Sequence, residues 1–520
     1  MTLVPQAASV TLGQGFVDLA SLLDVSEEID ASLPAEGYTV DVSAARGVAI
    51  TGGSSAGLFY ARQTLRQLLP PSALRKAGPG AAGPWRLREQ RVADAPSSGL
   101  RWRGCMLDVA RHYMPVADVL RFIDLLAFHK LNVLHLHLTD DQGWRIDVPG
   151  WPRLASVGGW RERSMMGSRI HKLYDARPHG GVYSAEDLRE VVAFAAERHV
   201  AVVPEVNLPG HMQAAVAAYP ELGNVDVAGR PRDGSVRDAW GVSTRVLGVA
   251  DSTLAFCRQV LDFVCDVFPS PVIGIGGDEC PYDEWRASPA AQARMRALGL
   301  ASERELHGWL MGQMAAHLAT RGRRAYAWDE MMAGYTGAPE AVQVAAWRGP
   351  WPTTVAARRG FDVVACPDLS AYLDYRQSDD PGEPTPVGTR LTLEDVYAFE
   401  PVPAGLTADE AAHVVGAQVN VWTEHMESAR RVDYMAFPRL CAFAEVAWGK
   451  PELEGGFDDF RRRLEGSHLA RLAALGVNFR PPTGPRPWDA RPDAPGKPLP
   501  RAVREAELAE LTAELKALAK

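Results

Sequence analysis

The sequence predicts an α/β chain: a closed (β/α)8 barrel of the TIM type preceded by a small α+β domain. From about residue 100 onward, eight apolar runs of strand length alternate with stretches of helix length. Nearly every run ends in polar or aromatic side chains, the one-sided pattern of a barrel whose active site lies at its C-terminal strand ends. Residues 38–69 read differently, as two short strands and one helix, and a Gly-, Pro- and Ser-rich stretch follows them.

In chain order, YTVDV and GVAIT are the front strands. The helix after them carries Leu58, Ala61, Leu65, Leu68 and Leu69 at helical spacing. KAGPGAAGPW and DAPSSG place a domain boundary between about residues 76 and 99, with the first domain assigned to 1–96. The eight barrel strands are GCMLDVA, VLHLHLTD, VAVVPEVN, PVIGIGGDE, RAYAWDE, VQVAAW, DVVACPD and HVVGAQVNVW, and the barrel is assigned to 97–480. Val119, Phe122, Ile123 and Leu126 share one face of the helix after the first strand. Ser184 with Asp187 three residues on caps the helix before the third. An open doubly wound sheet is the alternative, but GIGG is only a partial glycine fingerprint and no turn carries GxGxxG. Residues 481–520 hold a proline-rich segment and a last helix with Leu508, Leu511, Leu515 and Leu518 on one stripe, expected to pack on the barrel's outside or on a partner and given no function.

The composition, 47% hydrophobic and 23% charged over 520 residues, supplies a large core and two domains. A net charge of −9 without long basic blocks argues against nucleic acid or an anionic membrane as partner and favours a small neutral substrate. No apolar stretch is long enough to span a membrane. MTLVPQAASV lacks the basic start and apolar segment of a secretory signal, so a cytoplasmic location is expected, with a trimmed secreted form the alternative. The six cysteines are scattered and read as reduced core residues. His135 and His137 alternate with leucines as metal ligands would, but no HExxH or cysteine partner accompanies them, and neither metal nor organic cofactor is expected. The oligomeric expectation is a monomer or homodimer.

The most informative feature is Asp278-Glu279, two adjacent carboxyls closing a buried strand. Buried carboxylates need pairing, hydrogen bonding or proton chemistry, although a surface turn would also carry such a doublet. In a barrel, one mouth would gather Asp140, Asp278, Glu279, Glu424, an arginine, a histidine and Trp328, Trp347 and Trp422. That mixture suits a sugar, with aromatic faces against C–H faces and charged groups on hydroxyls. Adjacent strand residues point to opposite faces, so the doublet fits poorly as the two carboxyls flanking one glycosidic bond. Different jobs suit it better: one carboxyl protonates the leaving oxygen while the other orients a nucleophile belonging to the substrate.

The segments RGCMLDVARHYMP, HLTDDQGWRIDV, VVPEVNLPGH, GGDE, AWDE, AAWRG, YLDY and NVWTE resemble, in order, the motifs of the β-N-acetylhexosaminidases of glycoside hydrolase family 20. GVAITGGSSAGLFYARQTLRQLLP resembles the small domain preceding that family's barrel. The resemblance implies an exo-acting retaining enzyme that removes terminal GlcNAc, or GalNAc, through attack by the substrate's own acetamido oxygen. It implies Glu279 as general acid and base, Asp278 on the acetamido N–H, Tyr372 on the acetamido oxygen, and His211 with Asp140 as support for Glu279. It further implies Arg111, Asp374 and Glu424 on ring hydroxyls, with Trp328, Trp347 and Trp422 enclosing the acetamido group and sugar face. Two features depart from the family pattern: Asn207 stands where Asp is common, lowering the charge expected near His211, and the loop RQSDDPGEPTPVGTR lacks a tryptophan for a second sugar. A disaccharide-releasing relative and a catalytically silent sugar-binding barrel are the competing readings.

Overall fold

The computed structural model describes residues 3–229, 234–385, 387–450 and 455–518. The front domain is a five-stranded sheet of β1 (Ser9–Leu19), β2 (Ser26–Ile29), β3 (Tyr38–Ser43), β4 (Gly47–Gly52) and β5 (Trp85–Asp94), in the order β1-β5-β3-β4-β2. Helix α1 (Ser55–Leu68) packs Leu58, Ala61 and Leu65 onto Val40, Ile50 and Val92 of the sheet. β5 is a strand that the sequence analysis does not name. It lies inside the interval given for the domain boundary, within the first domain as assigned, and pairs with both β1 and β3. WRLREQRVAD is rich in charge, yet alternation buries Trp85, Leu87 and Val92, and that period was overshadowed by the glycines and prolines beside it.

Beyond Asp94 the chain enters the barrel, whose eight parallel strands are β6 (Trp102–Asp108), β7 (Val133–Asp140), β8 (Ala201–Leu208), β9 (Val272–Gly276), β10 (Arg324–Trp328), β11 (Val342–Ala346), β12 (Val363–Ala365) and β13 (Val414–Val421). Each pairs with its neighbour, and β13 pairs with β6 to close the ring. These are the eight runs expected. With helices outside and packed side chains inside, both faces are buried, so every residue of β6 and β7 is buried, Arg103 and the two histidines of β7 included. Helices α2 (Val116–Phe128), α3 (Ala185–Ala196), α4 (Asp251–Val267), α5 (Glu303–Thr320), α6 (Pro350–Arg358), α7 (Asp368–Ala371) and α8 (Arg439–Trp448) include the main crossovers. The Ser184–Asp187 capping box is formed, with both reciprocal bonds present at the start of α3.

The two domains share a polar knot. Lys130 Nζ lies 2.9 Å from Asp94, whose Oδ2 also accepts from Tyr38 and from Trp448 Nε1 of α8. All four residues are buried, so this contact is fixed rather than sliding. The six cysteines are free thiols. After the barrel come α9 (Arg501–Leu511) and α10 (Ala513–Leu518). Leu508 and Leu515 are buried, whereas Leu511 faces solvent, so only part of the apolar stripe is used; the Leu518 side chain lies outside the described residues.

Candidate active site

The C-terminal ends of the barrel strands surround a cavity of about 430 Å³. Arg111, His211, Asp278, Glu279, Trp328, Trp347, Tyr372, Asp374, Trp422 and Glu424 line it, ten of the eleven residues singled out from sequence. Asp140 stands behind them. Each is delivered by a strand end: Arg111 follows β6, Asp140 ends β7, His211 follows β8, Asp278 and Glu279 follow β9, Trp328 ends β10, Trp347 follows β11, Tyr372 and Asp374 follow α7, and Trp422 and Glu424 follow β13.

Asp278 and Glu279 are not on the strand itself. β9 ends at Gly276, and Gly276 and Gly277 turn the chain with φ of 68° and 92°. A β-carbon on Gly276 would fall 1.7 Å from Asn207 Oδ1, so the turn requires glycine on steric grounds as well. Glu279 follows with φ 45°, a left-handed conformation costly for a glutamate and common where function over-determines the backbone. The opposite-faces argument therefore does not govern the pair. The turn buries Asp278, while the Glu279 side chain stays 42% exposed toward the cavity mouth.

His211, also left-handed at φ 52°, joins the two sides of this site. Its Nδ1 lies 3.3 Å from Asp140 and 3.3 Å from Asp141; its Nε2 lies 3.5 Å from Asp278 and 3.4 Å from Glu279. Burial alone would lower its pKa, but Asp140 and then Asp278 outweigh that and raise it well above the ordinary value. The ligand atoms of Asp140, Asp141 and His211, and those of His211, Asp278 and Glu279, thus converge as two acidic groups on one imidazole. Asp141 also accepts from the backbone N–H groups of Gln213 and Ser243.

Behind His211 runs a buried chain of charge. Arg111 Nη2 is 3.0 Å from Asp140, which accepts from His137 Nε2 at 2.9 Å; His137 Nδ1 donates to Glu205 at 2.8 Å, and Glu205 accepts from Trp328 Nε1 at 2.8 Å. Burial opposes a charge on His137, but Glu205 and Asp140 outweigh it and push its pKa up to about 10. The same logic, with Arg111 and His211 overcoming burial, holds Asp140 well below the usual carboxylate range. His135, 2.7 Å from Glu205, belongs to this network too. The two histidines that alternate along β7 thus serve Glu205. The sequence analysis weighs His137 only as a metal ligand and does not single out Glu205; the signal that joins them is in-register placement, Glu205 beside His137 across the β7–β8 ladder.

Asn207 is bonded to Asp278 rather than to His211: its Nδ2 donates to Asp278 Oδ1 at 2.8 Å, and Asp278 is the group that stands beside His211. Opposite, Asp374 is buried with neither carboxylate oxygen hydrogen-bonded among the described residues, and Glu424 Oε2 likewise has no partner among them. Burial, then the neighbouring Glu424 charge, raises the Asp374 pKa well above normal; burial also raises that of Glu424, against the pull of Arg111. Two such orphans facing one cavity mark where ligand hydroxyls belong.

The walls are aromatic. Trp328 and Trp422 lie 5.8 Å apart, Trp347 stacks on Tyr372 at 6.1 Å and 26°, and Arg111 sits 4.9 Å from the Trp422 ring centre. The Tyr372 hydroxyl has no hydrogen-bond partner among the described residues. Asp368, the polar residue at the end of the run DVVACPD, does not itself line the cavity but bonds Tyr375 and Arg504, which do. The C-terminal segment, expected on the barrel's outside or on a partner, packs its last helix against α6 and also brings Lys497, Leu499, Arg504 and Glu507 to the cavity mouth.

Two family models match the chain: "Glycosyl hydrolase family 20, catalytic domain" over residues 100–451 and "Glycosyl hydrolase family 20, domain 2" over residues 2–95. A beta-hexosaminidase of Porphyromonas gingivalis is 38% identical over 483 residues, covering 90% of this chain and 59% of that protein. One of Akkermansia muciniphila is 33% identical over 468 residues, covering 89% of each. This chain therefore spans about three fifths of the first relative's length and most of the second's. Among solved structures, a beta-N-acetylhexosaminidase superposes with a TM-score of 0.78 at 30% identity, covering 90% of this chain and 94% of that one. A Vibrio harveyi exo beta-N-acetylglucosaminidase in complex with N-acetylglucosamine also gives 0.78 at 30% identity, covering 94% and 78%.

Proposed function

Because the chain belongs to glycosyl hydrolase family 20, we propose that it is an exo-acting retaining β-N-acetylhexosaminidase that releases terminal GlcNAc or GalNAc with the substrate's acetamido oxygen as nucleophile. The single observation that carries this reading is the juxtaposition of a hydroxyl-seeking floor with a proton-handling rim. The Asp374 carboxylate and Glu424 Oε2 have no hydrogen-bond partner among the described residues on one side, and Asp278 and Glu279 stand at His211 on the other. A floor closed by Asp374, Arg111 and Glu424 admits one terminal sugar, which supports release of single residues over disaccharides.

In this reading the sugar lies against Trp422, with its acetamido group between Trp328, Trp347 and Tyr372. The free Tyr372 hydroxyl donates to the acetamido oxygen, and Asp278, held from behind by Asn207, accepts the acetamido N–H. Together they aim the oxygen at C1, and orientation of this kind removes on the order of several kcal/mol from the barrier. Glu279, exposed toward the mouth, protonates the leaving oxygen as the C1–O bond breaks and the oxazolinium ring closes. Its carboxylate then takes a proton from the water that reopens the ring. The Asp278 charge stabilises the positive ring, and His211 pins both carboxyls.

The test is kinetic. 4-Nitrophenyl N-acetyl-β-glucosaminide should turn over orders of magnitude faster than the corresponding glucoside, which lacks the nucleophile. Glu279→Gln should lose turnover by at least ~10²-fold while retaining product affinity. Equal rates on the two glycosides, or full activity of the variant, would overturn the proposal.

A further inference from the structure

The C-terminal helix lies outside both matched family regions, yet it reaches the part of the pocket that handles the acetamido group. Arg504 Nε donates to Asp368 Oδ2 at 2.8 Å, and the Arg504 guanidinium lies 5.8 Å from the centre of the Trp347 ring. Asp368 is fully buried and its same oxygen accepts from Tyr375 at 2.9 Å. Its backbone N–H bonds the Trp347 carbonyl at 2.9 Å, and its carbonyl accepts from the Tyr372 N–H at 3.2 Å. Asp368 thus joins the two stacked walls, Trp347 and Tyr372, through its main chain, and Arg504 is the cation that balances its side chain.

The helix itself is held in place. Arg348 Nη1 bonds the Leu511 carbonyl at 3.2 Å, and the segment leading into α9 bonds Ser168 through Pro495 at 2.9 Å and Gly388 through Leu499 at 3.4 Å. These contacts come from three separate loops around the mouth, which a helix merely resting on the barrel would not need. Arg504 also bonds Glu507, another residue of the mouth, at 3.0 Å.

We propose that Arg504 is a positioning residue for this reaction: from outside the family's catalytic domain it fixes Asp368, and through Asp368 it sets the spacing of Trp347 and Tyr372 that orients the acetamido nucleophile. Removing the guanidinium leaves a buried carboxylate unbalanced at the hinge of α7, and the Tyr372 hydroxyl moves with that hinge. The inference rests on the reading of the site as an N-acetylhexosaminidase.

The experiment compares the full-length chain with Arg504→Ala and Arg504→Lys. Turnover of 4-nitrophenyl N-acetyl-β-glucosaminide should fall about 10- to 100-fold in kcat for Arg504→Ala, with a smaller change in KM, because misplacement alone is enough to cost this much. Arg504→Lys, which restores a cation but not the fork, should recover part of the loss. The discriminating readout is binding. Affinity for GlcNAc-thiazoline, which mimics the cyclised acetamido group, should fall with kcat/KM, whereas affinity for glucose-configured deoxynojirimycin, which lacks that group, should fall much less. Equal loss of both ligands would show a purely structural role and overturn the inference, as would wild-type kcat in the alanine variant. Should that variant fail to fold, the lysine variant carries the same ligand comparison. Absence of N-acetylglucosaminide turnover in the unsubstituted chain would overturn the functional reading itself, and the inference with it.

Discussion

Replacing Tyr372 by phenylalanine separates folding from catalysis at a single oxygen. The ring is buried and stacked on Trp347, and phenylalanine preserves both features. The hydroxyl has no partner among the described residues, so its removal should change stability by no more than ~0.5 kcal/mol, or less than about 2 °C in Tm. The transition state is different. In the proposed reaction the hydroxyl faces the acetamido oxygen there, as that oxygen becomes the nucleophile and acquires the orientation on which ring closure depends. Burial raises the Tyr372 pKa well above that of free tyrosine, so the group remains a donor throughout the working pH range. Loss of one preorganised donor costs about 10²- to 10³-fold in kcat, or ~3–4 kcal/mol. The assay is steady-state hydrolysis of 4-nitrophenyl N-acetyl-β-glucosaminide beside a thermal melt. A kcat loss below about fivefold, ~1 kcal/mol, would mean that Tyr372 is only wall and that the acetamido group is aimed by something else.

Other substitutions probe the charges. Asp140→Asn removes the largest support for charged His211; a raised histidine pKa contributes stability below its unfolded value that is lost as pH rises through its folded value, so the alkaline limbs of stability and of kcat/KM should both move to lower pH, and unmoved limbs would refute the pairing. Asp374→Asn removes a carboxyl whose raised pKa costs stability once pH exceeds the unfolded value: the variant should be more stable than wild type by about 1–3 kcal/mol at pH 7, equal to it near pH ~3, and weaker in kcat/KM by roughly tenfold or more, as read by denaturant titration and kinetics. Asn207→Asp sets a carboxylate against Asp278, a repulsion of about 4 kcal/mol at 4 Å in a medium of effective dielectric ~20. The new pair should share one proton near neutrality and destabilise the fold progressively as pH rises through its upper pKa, and a flat stability-versus-pH difference from wild type would refute the contact.

Local pattern and distant contact explain what could be read from the chain alone. The eight barrel strands were legible because burial on both faces makes each a mostly apolar run, and their polar ends were legible because the barrel puts its chemistry on one rim. GGDE drew attention as a doublet, but its geometry was not legible: alternation ceases at Gly276, and the left-handed Glu279 depends on the surrounding packing. Glu205 looked like an ordinary strand residue until the ladder set it beside His137. Asn207 looked like a change near His211 until the fold turned its amide toward Asp278. β5 was hidden by its glycine- and proline-rich flanks, and the reach of α9 to Asp368 spans more than 130 residues of sequence, which no period encodes. The unread features share a cause. Each is a pairing between segments that only the closed barrel brings together, and those pairings, rather than the motifs themselves, decide the protonation of His211, the charge on Asp140 and the spacing of Tyr372 from Trp347. A sequence match can therefore nominate the groups that touch a sugar, whereas their proton affinities and aim are properties of the ring of strands that holds them.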